Sequence, residues 1–85
     1  MQTEDKKKIR RQVLSRNLAS LMTLKQINQS DLSRRTGVSQ PTISRVLSGF
    51  ASPRITSIQE IAEYFGVGVD YLLTKNNLFN DERKI

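Results

Sequence analysis

The sequence contains no cysteine, no histidine and no tryptophan. Without cysteine there is no disulfide framework and no thiolate to hold a metal. Without histidine, the commonest general base and the commonest metal ligand are missing as well. A zinc finger is excluded, and neither a metal nor a cofactor is expected. Acidic residues are few, and Asp31, Glu60, Glu63 and Asp70 fall at helix ends and on polar faces. No nucleophile or phosphate-cradling loop accompanies them, so the chain does not read as an enzyme and implies no small-molecule substrate. No apolar run approaches the roughly 18 residues a membrane span needs. Met1 is followed by Gln-Thr-Glu-Asp-Lys-Lys-Lys rather than an apolar segment. No secretory signal is read there, and a cytoplasmic or nucleoid location is expected.

Positive charge is what the chain has in excess. Fourteen Lys and Arg oppose eight Asp and Glu, for a formal net charge of +6 and a pI near 10.2. Such a surface suits a polyanion, either nucleic acid or an anionic membrane. At 85 residues the chain makes one domain, and a domain this small buries only about 60% of its unfolded surface. Its apolar stripes are all needed inside. That argues against a first helix lying on a membrane.

Residues 1–8 are polar and charged, and read as a flexible basic arm. The domain proper is expected over 9–74, with a tail or the start of a linker over 75–85. From Ile9 the apolar positions Val13, Leu14, Leu18, Leu21 and Met22 follow at helical spacing, and Leu24 and Ile27 continue the core through a connector. Asn28 suits an N-cap, with Asp31 in the first turn of a second helix anchored by Leu32. Gly37 is placed for a left-handed helix end. Ser39 caps a third helix whose first turn holds Gln40 and Pro41, where proline is tolerated. Ile43, Val46 and Leu47 form its inward face, and Gly49 ends it. Ile55, Ile58, Ile61, Ala62 and Phe65 mark a fourth helix stopped at Gly66, and Gly68 and Asp70 introduce a short fifth. No period-two segment and no repeat appears, so the expected fold class is all-α with five helices.

Two short helices joined by Gly37-Val38-Ser39 cannot lie side by side and must cross steeply. Leu32, Val38, Ile43 and Val46 are apolar where the crossing has to be filled, and Ser33 is small where the helices approach. Gln40, Pro41, Ser44, Arg45 and Ser48 lie opposite the inward face of the third helix. Glutamine can pair bidentately with adenine and arginine with guanine in a major groove about 12 Å wide.

The run from Asn28 to Ser44, NQSDLSRRTGVSQPTIS, resembles the helix-turn-helix of lambdoid phage repressors and Cro proteins. The likeness continues through Leu47-Ser48-Gly49, Pro53-Arg54, Ile61-Ala62 and Phe65-Gly66-Val67 to Val69-Asp70-Tyr71-Leu72-Leu73, covering roughly residues 14 to 73. Thr36 stands where that family prefers an aliphatic residue, and Ser33 where it prefers alanine. The resemblance implies a compact five-helix lambda-repressor-like domain, and transcriptional repression by a homodimer on a palindromic operator in double-stranded DNA. It puts Gln40 where the family reads adenine, and Ser44 and Arg45 at base-facing positions. Pro41 takes a place where relatives carry a base-reading side chain. Gln29 and Arg54 match phosphate-contact positions.

Lys25, Thr42 and Ser48 are further candidates for the DNA backbone, and Lys6, Lys7 and Lys8 for contacts from the arm. Arg34 and Arg35 are weaker candidates on the middle helix. Phe50, Tyr71 and the pair Leu78-Phe79 are the apolar candidates for pairing two copies. The alternative reading is an antitoxin or controller protein of the same fold, whose main task is to bind a protein partner.

Overall fold

The computed structural model describes residues 3–50 and 53–75, with side chains from Lys6 onward. Among the described residues there are five helices and no strand: α1 (Thr3–Lys25), α2 (Gln29–Thr36), α3 (Gln40–Leu47), α4 (Ile55–Phe65) and α5 (Val69–Leu73). None is long and apolar enough to cross a membrane.

Each helix sends at least one side chain to the centre. Leu18 of α1, Leu32 of α2, Ile43 and Val46 of α3, Ile61 of α4 and Leu72 of α5 are all essentially inaccessible to solvent. Around them α1 packs on α3 and α5, α2 packs on α3 and α4, and α4 packs on α5. Burying side chains of this size stabilises by about 1.5–3 kcal/mol each. For helices as short as α2, α3 and α5, which are marginal alone, that packing is the main support.

The ends of the short helices are fixed by local chemistry. Asn28 Oδ1 accepts from the Asp31 amide at 2.8 Å, and Ser39 Oγ accepts from the Thr42 amide at 3.3 Å. Each bond satisfies an amide that has no partner inside its helix. Gly37 ends α2 at φ 82°, a region that other residues enter only at a cost. Thr36 is buried because its hydroxyl is used twice: it donates to Leu32 O at 2.7 Å and accepts from the Val38 amide at 3.1 Å. An aliphatic side chain would leave that turn amide without an acceptor.

Three sequence expectations need correction. α1 begins at Thr3 rather than near Ile9, so Lys6, Lys7 and Lys8 lie on a helix and not in a flexible arm. Lysine is a good helix former, and an apolar stripe marks only the stretch of helix that is covered. Leu24 belongs to α1 rather than a connector and is 56% exposed. Ile9 and Ile55 are likewise exposed at 47% and 55%, so neither belongs to the core. Residues 76–85, with Leu78 and Phe79, lie outside the described residues.

Candidate nucleic-acid interface

Periodicity divides α3 cleanly. Ile43 and Val46 are buried, while Gln40, Pro41, Ser44, Arg45 and Ser48 are all exposed on the opposite side. The outward set therefore forms one polar face with a single cation, Arg45, and no acid. Gln40 and Pro41 occupy the first turn, where the amides that lack intrahelical partners also point.

Beside this face lies an open groove of about 470 Å³. One wall is the turn Gly37-Val38-Ser39 with Thr42, Arg45 and Val46, and the other is Pro53, Arg54, Thr56, Ser57 and Glu60. Arg45 and Arg54, predicted separately as base and phosphate contacts, thus line one depression. Arg54 is also the N-cap of α4 and makes no side-chain capping bond. The amino end of α4 therefore adds its own positive potential beside the guanidinium, a setting suited to an anion.

Other candidates are placed less simply. Gln29 starts α2 and is half-buried. The Thr42 hydroxyl lies 2.7 Å from Ser39 Oγ, so it shares the capping of α3. Ser48 Oγ donates to Arg45 O at 2.9 Å. Its single hydrogen is therefore occupied, and donation to a phosphate would require the hydroxyl to turn. The Lys25 ammonium sits 6.0 Å from the centre of the Tyr64 ring, near the carboxyl end of α4 and away from Arg54 at its amino end. Arg34 pairs with Asp31 one turn earlier on α2, which partly neutralises it. Arg35 is exposed.

Sequence reasoning missed the side chains that hold α3 in place. Arg11 Nε donates to Gly49 O at 3.3 Å, and the Ser15 hydroxyl donates to Leu47 O. Both acceptors lie at the carboxyl end of α3, where carbonyls lack helical partners and a cation is favoured. At the other side of α1, Asn17 is 5% exposed. Its amide group donates to Leu72 O at 2.8 Å, Thr74 O at 2.8 Å and Tyr71 O at 3.2 Å. The long helix thereby clamps the carbonyl ends of both α3 and α5. A polar residue at a core spacing was the only signal for Asn17.

Known proteins resemble this chain in sequence and in fold. A helix-turn-helix family profile matches residues 18–72. An uncharacterized HTH-type transcriptional regulator of Coxiella burnetii is 43% identical over 70 residues, which is 81% of this chain. The chain spans about a third of that relative's length, 32%. The solution structure of the SOS-response transcriptional repressor LexA from Eubacterium rectale superposes with a TM-score of 0.74 at 28% identity. That superposition covers 81% of this chain and 73% of the other. The crossed pair α2 and α3, the capped turn between them and the family match over residues 18–72 together show that the chain belongs to the helix-turn-helix family of DNA-binding transcriptional regulators, in its lambda-repressor-like branch.

Proposed function

We propose that this chain is the DNA-reading domain of a transcriptional repressor, and that it recognises a palindromic operator with the outer face of α3 in the major groove. The observation that carries this reading is the division of α3: its inner residues are buried while Gln40, Ser44 and Arg45 are exposed together. Gln40 and Arg45 read base edges, with Ser44 between them, because amide and guanidinium groups match adenine and guanine respectively. Pro41 offers only apolar contact, such as with a thymine methyl. Arg54 and the amino end of α4 hold a phosphate across the groove from Arg45, and Gln29 holds another at the start of α2. Thr42, Ser48 and Lys25 contribute less, since each already has an intramolecular partner.

One recognition helix reads too few base pairs to locate a site among many competitors. Two copies on a palindrome double the information, and Phe50, 79% exposed in the loop after α3, is the most exposed large apolar side chain among the described residues and a candidate for pairing. The regulator from Coxiella burnetii and the LexA repressor carry regulatory names, in keeping with this assignment.

Salt dependence tests the DNA reading at its base. Each phosphate neutralised releases counterions, so log affinity for duplex DNA should fall steeply with log salt between about 50 and 200 mM. A slope near zero would sink the proposal and favour a protein-binding module of the antitoxin or controller kind.

A further inference from the structure

We propose that the amino-terminal half of α1 is a second, rigid DNA-contacting element, in which Lys7 and Lys8 bind backbone phosphates beside the carboxyl end of α3. The proposal rests on the DNA-binding reading above and adds a surface to it.

Ser15 and Arg11, one turn apart on a single face, bond to Leu47 O and Gly49 O at the end of α3. Lys8 and Lys7 stand three and four residues before Arg11, and so continue that face by one more turn. A rise of 1.5 Å per residue carries them about 5 Å beyond Arg11 along the axis. Further along α1, the face next to Ser15 is apolar and covered, as Leu14 and Leu18 show. At Lys7 and Lys8 it is basic and uncovered, and every residue from Lys6 to Arg10 is exposed. The helix therefore overhangs the core, and the exposed side chains from Lys6 to Arg10 are left outside it.

Arg11 is occupied by Gly49 O, whereas neither Lys7 nor Lys8 has a hydrogen-bond or ion-pair partner among the described residues. Consecutive lysines repel one another. A polyanion relieves that penalty. Duplex DNA carries about one negative charge per 1.7 Å of axis, and a duplex seated on Arg45 and Ser48 passes the same end of α3 that the overhang flanks. Because the lysines stand on a formed helix, their backbone is already ordered and binding avoids the entropy cost of ordering an arm.

The experiment measures duplex binding by the full chain from about 50 to 200 mM salt. It compares wild type, the double variant Lys7→Gln with Lys8→Gln, and Arg16→Gln on the exposed back of α1. Glutamine preserves helix propensity, and far-UV circular dichroism with thermal melting verifies that the fold is kept. The double variant should lower the log–log slope by about 1.8, at roughly 0.9 per phosphate, with the ranking of DNA sequences unchanged. Arg16→Gln should leave the slope at the wild-type value. A steep wild-type slope that the double variant leaves unchanged would overturn this proposal alone. An equal drop in Arg16→Gln would overturn it too, since net charge and not position would then be responsible. A wild-type slope near zero would overturn the DNA-binding reading itself.

Discussion

Asn17 sits between Leu14 and Leu18 on the covered face of α1, yet its burial is favourable because three backbone carbonyls around α5 surround its amide group. Such bonds contribute about 1 kcal/mol when made, but leaving a buried carbonyl unpaired costs about 1–3 kcal/mol. Asn17→Ala should therefore destabilise by that amount, read as a drop of roughly 4–8 °C in Tm per kcal/mol for a domain this size. An unchanged Tm would show that solvent already satisfies those carbonyls. The large apolar residues at the centre, Leu18, Leu32, Ile43 and Val46, were legible from spacing alone. Asn17, Arg11 and Ser15 were not, because the carbonyls they serve lie 32 to 57 residues further along the chain. Local patterns do not encode such partners.

At the scale of elements, the crossing of α2 and α3 sets the direction in which Gln40 and Arg45 point. Gly37 allows that crossing by taking φ 82° in a place where an added Cβ would meet no neighbour. The penalty for Gly37→Ala is therefore purely conformational, about 1–2 kcal/mol. It should appear in equilibrium unfolding as a lower midpoint with the same denaturant slope. A variant as stable as wild type would mean the turn tolerates another conformation. Helix starts at Asn28 and Ser39 and the stop at Gly37 were readable because caps are short-range chemistry. The start of α1 was not. Its first turns carry charged helix formers and no apolar stripe, so hydrophobic periodicity had nothing to register before Ile9. Ile55 shows the converse: it continues the apolar pattern of α4 but lies one turn outside the covered region.

At the scale of the whole molecule, the proposed reading assigns the polar outer face of α3, the groove between Arg45 and Arg54 and the overhang of α1 to one partner. A single copy presents one α3, so the operator should consist of two half-sites with centres about 34 Å apart, one turn of DNA. Footprinting should reveal that symmetry, and protection of a single unrepeated half-site at one chain per duplex would refute the paired arrangement. The outward residues of α3 were legible in the sequence as the complement of its inward ones. Their closeness to Arg54 was not, since it depends on how the loop after α3 returns the chain to α4.

The most direct test of a reading face on α3 is competition between single-position variants of a duplex selected by the wild-type chain from a random pool. Wild type, Gln40→Ala, Arg45→Ala and Arg54→Ala are measured on each. Gln40→Ala and Arg45→Ala are each expected to lose about 1–3 kcal/mol at one base pair and much less elsewhere. Arg54→Ala should weaken every duplex nearly equally, because phosphate contacts carry no sequence information. Equal losses by Gln40→Ala and Arg45→Ala on selected and random DNA alike would contradict a reading face on α3.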